Sequence, residues 1–168
     1  MTDAGKRSPE MQRLFTTERL ADAVIEVKAT AAECAAVAER LLLPGIASIY
    51  CRWHCSALPG GQVAVKGLLK ADITQTCVVS LDPFPARIDE RFEVRFVPAA
   101  DLGEEDESEE IDEIPYTGSE IDLGEATVEQ LALSLDPYPR KDDAVLHPSA
   151  SDDSANPFAA LAKLQDRK

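Results

Sequence analysis

Basic residues are missing from a long part of this chain. Between Phe96 and Pro139 there is no Lys or Arg, against fourteen Asp or Glu. The flanks are balanced, with twelve acids and twelve bases in residues 1–95 and five of each in residues 140–168. The whole net charge of −14 therefore belongs to one segment. So acidic a chain is a poor candidate for the broad basic footprint of an autonomous nucleic-acid binder, though a local basic surface is still allowed.

Long apolar runs are lacking too. None approaches the roughly 18 residues of a membrane helix, and MTDAGKRSPEMQR lacks the apolar stretch of a signal peptide. The expectation is a cytoplasmic protein that does not engage membranes. Cysteine is sparse, at four in 168 residues, too few for a disulfide scaffold and expected as free thiols. There is no P-loop, no GxGxxG and no HExxH. With only His54 and His147 available as bases, nucleophilic catalysis is not expected, and neither is a cofactor or a small-molecule substrate.

What is present is regular. Residues 1–10 read as disordered. Ala23, Ile25 and Val27 alternate within a strand at Asp22–Lys28. Thr30 and Glu33 form a capping box opening a helix over 30–43, with Cys34, Val37, Ala38, Leu41 and Leu42 on one face. Ala47, Ile49, Cys51, Trp53 and Cys55 then share a strand face. After Pro59-Gly60-Gly61, a strand runs from Val63 towards Leu81, with Gly67 as a possible bulge or bend.

LDPFPA is expected to reverse the chain into Ile88, Phe92, Val94 and Phe96, which alternate with charged residues. A hairpin whose partners sum to 167 would place Arg95 opposite Asp72 and keep both apolar sets on one face. Asp122 is the expected N-cap of a helix over 122–136, with Gly124, Val128, Leu131, Ala132 and Leu135 buried. LDPYPRK, a near copy of the first turn, ends that helix. The two copies sit in different settings and do not mark a duplication.

The candidate chemistry is that of binding. CRWHC, at Cys51–Cys55, offers metal-ligand residue types. On a strand, however, the two thiols lie about 13 Å apart and His54 faces the other way. Arg87, Arg91 and Arg95 could contact phosphates, or form cross-strand pairs with acids such as Asp72. Tyr138, Arg140 and Lys141 form a cationic and aromatic loop. The tract from Asp101 to Glu113 holds nine acids in thirteen residues, among them Glu104, Glu105, Asp106, Glu107, Glu109 and Glu110. It could steer a basic partner.

Three stretches resemble the YceD family, whose name refers to large ribosomal RNA subunit accumulation. They are ADITQTCVVSLDPFPARIDERFEVRFVP from Ala71, IDLGEATVEQLALSLDPYPRK from Ile121, and NPFAALAKLQ from Asn156. The resemblance implies a cytoplasmic or plastid factor linked to 23S rRNA accumulation, with no established enzyme activity. Many members carry Cys-x-x-Cys where this chain has Cys77-Val-Val-Ser80, so a role for that pair does not carry over.

The expectation is an α+β domain over residues 11–140: an antiparallel, half-barrel-like meander packed against two main helices, with an acidic loop at 99–120. A linker and a short C-terminal docking helix over 141–168, carrying Phe158, Leu161 and Leu164, would follow. Functionally, we expect a non-enzymatic, monomeric factor that supports large-subunit rRNA by binding the RNA or a basic ribosomal or assembly protein. The alternatives are an adaptor without RNA contact, or a metal or redox module built on the cysteines.

Overall fold

A computed structural model describes residues 9–101 and 111–145. Glu104, Glu105, Asp106, Glu107, Glu109 and Glu110 lie outside the described residues, as do His147 and the expected C-terminal helix.

In chain order the elements are β1 (Leu14–Thr16), α1 (Thr17–Leu20), β2 (Val24–Lys28), α2 (Ala31–Arg40), β3 (Gly45–Ala57), β4 (Val63–Thr76), β5 (Pro83–Pro98), β6 (Asp112–Tyr116), β7 (Glu120–Asp122) and α3 (Leu123–Leu133). Strands β2-β3-β4-β5-β6 form one sheet, and β1 pairs with β7 in a two-stranded ribbon.

The α+β class is as expected, but the sheet is mixed. β2 to β5 run antiparallel, whereas β6 lies parallel to β5, pairing Val94 with Asp112 and Phe96 with Ile114. A parallel return needs a connection of a dozen or so residues, which the acidic interval supplies. Residues 112–116 and Glu120, expected within the acidic loop, are strand.

Local chemistry explains both longer helices. Thr30 Oγ1 accepts from Glu33 N and Glu33 Oε2 from Thr30 N, the full capping box. Asp122 Oδ1 accepts from the amides of Gly124 and Glu125, and also from Arg13 N. Both helices pack on the inner face. Cys34, Val37, Leu123, Ala126, Val128 and Leu131 join Trp53, Leu69, Val94 and Phe96 in a single core. Trp53 Nε1 donates to Thr127 Oγ1 at 3.2 Å across that core.

Several local expectations change. Gly67 marks no bulge, because β4 pairs without interruption through it on both sides. Instead Trp53, Gly67 and Phe92 lie in one cross-strand row. The missing side chain lets the Phe92 ring lean over and meet Trp53 edge-to-face, with centroids 5.1 Å apart. The irregularity falls between Ile46 and Ser48, and it turns Ala47 out to solvent.

The hairpin register sums to 159, not 167: Asp72 faces Arg87 and Ala64 faces Arg95. The chain reverses at Cys77–Asp82, so Pro83, Phe84 and Pro85 are already strand, opposite Thr76, Gln75 and Thr74. Leu81, expected inside, is exposed at φ 63°. Leu42, beyond the end of α2, and Ala132, in the last turn of α3, also face solvent.

Candidate nucleic-acid interface

Strict alternation along β3, β4 and β5 sends every second side chain to the outer face. Leu68 faces Arg52 on one side and Arg91 on the other, and in the next row Lys66 faces His54 and Glu93. These six residues line a shallow cleft of about 490 Å³ over Gly67 and Phe92. A smaller hollow continues past His54 and Lys66 towards Arg95 and Ile111. The helices occupy the inner face, so this surface is open to solvent among the described residues.

Its charges are largely paired across strands. Arg87 Nε meets Asp72 Oδ1 at 2.9 Å, Lys70 meets Asp89 at 3.3 Å and Lys66 meets Glu93 at 3.1 Å. Arg52 holds Glu26 at 2.8 Å and Arg95 holds Glu113 at 3.4 Å. The carboxyl of Glu26 sits below its ordinary pKa because it accepts from Arg52 and then Tyr50, and that of Asp72 because it accepts from Arg87 and then Ser48. Arg91 has no ion-pair partner among the described residues. Counting outward positions of β2 to β6, Lys28, Arg52, Lys66, Lys70, Arg87, Arg91 and Arg95 stand against Glu26, Asp72, Asp89, Glu93 and Glu113. The face thus carries a small positive excess in a strongly acidic protein.

The three arginines expected as one site are therefore divided. Arg87 and Arg95 are tied into pairs at opposite ends of a strand segment about 26 Å long, and only Arg91 belongs to the cleft. Sequence reasoning missed Arg52, His54 and Lys66. The signal was available, since Arg52 and His54 alternate with Cys51, Trp53 and Cys55, but CRWHC drew attention as a metal motif. Cys51 and Cys55 lie on the buried face, where burial pushes their thiols up to about 12 and about 11. His54 is on the outer face, so this trio diverges.

Tyr138, Arg140 and Lys141 occupy a different place. Here the second copy meets the end of β4 and the turn that leads into the first: Gln75 Nε2 donates to Asp136 O, Val78 N to Pro139 O, and Lys141 N to Cys77 Sγ. The sulfur of Cys77 also accepts from Val79 N and Ser80 N, both at 3.4 Å. These amides, Ser80 first and then Lys141, lower the thiol pKa to about 7. The side chain is nonetheless fully covered, so the sulfur sits as an acceptor at the centre of a turn. Tyr138 and Arg140 are exposed beside it, and Lys141 lies 3.8 Å from Asp143.

The fold and the site define a small α+β domain whose open sheet face is lined with paired charges. A family model described as "Large ribosomal RNA subunit accumulation protein YceD" matches residues 65–165, and the chain belongs to that family. No curated protein and no solved structure matches it. No helix among the described residues is long and apolar enough to cross a membrane.

Proposed function

We propose that the protein supports accumulation of large-subunit rRNA without catalysis, by contacting RNA directly on the outer sheet face. The observation that carries this reading is the row Arg52–Leu68–Arg91, flanked by Lys66 and His54. An unpaired base can lie on an apolar floor between guanidinium planes, which stack on bases and hold phosphates. Exposed ion pairs stabilise little, so phosphate oxygens can replace Glu26 and Glu93 as partners at small cost. Arg87, Arg95, Arg140 and Lys141 would extend the track. The factor would act as a cytoplasmic monomer with no cofactor.

The test is ultraviolet crosslinking in cells with the tagged full chain, comparing wild type with Arg52→Ala/Arg91→Ala. Reads concentrated on large-subunit rRNA and lost in the variant support the reading. Equal recovery from both proteins overturns the assignment of the site. Recovery of a basic protein without RNA would favour the adaptor, whose support is the run of fourteen acids and no base. Deletion of residues 101–113 should then weaken that complex and flatten its salt dependence.

A further inference from the structure

A groove of about 360 Å³ opens where the end of α2 meets the end of α3. Its walls include Leu41, Leu42, Leu43, Pro44, Leu135 and Pro137, with Asp136 at its polar part. Leu42 is 90% exposed and holds φ 55°, a left-handed conformation that glycine or asparagine adopts far more readily than leucine. The Leu42 side chain thus stands in water at the edge of this groove.

The chain outside the described residues carries a matching surface. In the sequence, Asn156-Pro157 fits a helix start, and helical spacing would put Phe158, Leu161 and Leu164 on one side. Lys163 can face Asp136. The geometry of the connection is favourable as well. Lys141 is pinned to Cys77, one residue beyond Thr76 of the groove lining, and the described chain ends at Val145. The eleven peptide steps from Val145 to Asn156 reach up to about 36 Å. The family match itself runs through residue 165, past the last described residue.

We propose that residues 156–165 dock in cis as an amphipathic helix in this groove, with Phe158, Leu161 and Leu164 against Leu42, Leu135 and Pro137. The tether supplies an effective concentration in the millimolar range, so even a modest apolar contact is populated. Docked there, the tail would lie at the end of the domain opposite the 58–62 turn, away from the outer sheet face. This inference does not depend on the RNA reading.

Amide hydrogen exchange on the full chain tests it, in wild type, in Phe158→Ala/Leu161→Ala/Leu164→Ala, and in Leu42→Asp. The exposure of Leu42 makes the last substitution compatible with folding. In wild type, amides of 158–164 should exchange on the order of tenfold slower than unprotected ones. Both variants should remove that protection, and the tail variant should also speed exchange around 41–44 and 132–137. Unprotected tail amides in wild type overturn the proposal. So does protection that survives Leu42→Asp, which would place the tail elsewhere. Protection that rises with protein concentration would replace docking in cis with exchange between two copies.

Discussion

The two faces of the five-stranded sheet are built from the same three long strands and hold together by different means. The inner face is a continuous apolar layer in which Trp53, Phe92 and Phe96 interlock over a glycine and α3 closes the top through Thr127. The outer face is a lattice of carboxylates and bases in contact with water. Burial of apolar area is what stabilises the domain, whereas exposed pairs add little and can be exchanged for other anions. Stability thus belongs to one face, and binding can belong to the other without a conflict between them.

The sharpest break of that division is Trp53→Ala. The side chain is fully buried and donates a hydrogen bond inside the core, so its loss should cost about 4 kcal/mol in denaturant unfolding. Gly67→Ala comes next. An added Cβ would meet the Phe92 ring, and overpacking of this kind costs about 2 kcal/mol. A double-mutant cycle sharpens the point: with Phe92→Ala present, the penalty for Gly67→Ala should nearly vanish. If the two costs simply add, the ring is not what requires the glycine.

A third substitution lies at the margin between the faces. Glu33 binds Arg13 through two hydrogen bonds of 2.8 and 3.0 Å and accepts from Thr30 N. Arg13, then the amide and hydroxyl of Thr30, hold its carboxyl down to about 2 against burial. A depressed folded pKa stabilises above the unfolded value near 4.5 and loses that contribution as pH falls towards 2. Glu33→Gln should therefore cost on the order of 2 kcal/mol at pH 7 and flatten the stability slope between pH 5 and pH 2. An unchanged slope in urea titrations at those pH values would remove Glu33 as its source.

The inner face was largely legible in the sequence, and the outer site was not, for a physical reason. Alternation states which side chains share a face, and the caps at Thr30 and Asp122 state where helices begin. Alternation does not state register, because every odd sum of partners keeps the same faces together. The value 159 goes with a reversal at Cys77–Asp82, where the Cys77 sulfur accepts from Lys141, a partner 64 residues away that no local pattern announces. With the wrong register Arg95 stood opposite Asp72, and the row Arg52–Leu68–Arg91 could not be assembled. β6 escaped notice because Asp112, Glu113 and Pro115 read as the end of an acidic loop. Proline is tolerated at a sheet edge, where an amide donor can be spared.

The smallest expected effect on stability carries the most information about the outer face. Asp72→Asn removes the negative charge that holds Arg87 and weakens the bond from Ser48. Both carboxylate and guanidinium are exposed to water, so the denaturation midpoint should stay where it is. The charge of the face rises by one, and Arg87 is released towards solvent. If RNA lies on this surface, recovery by crosslinking should increase, and the dependence of binding on salt should steepen by close to one phosphate contact. If the ladder exists only to hold β4 against β5, the midpoint should fall and RNA recovery should not move. Each role predicts a change in one measurement and none in the other, so a single variant separates a binding surface from a solvated seam.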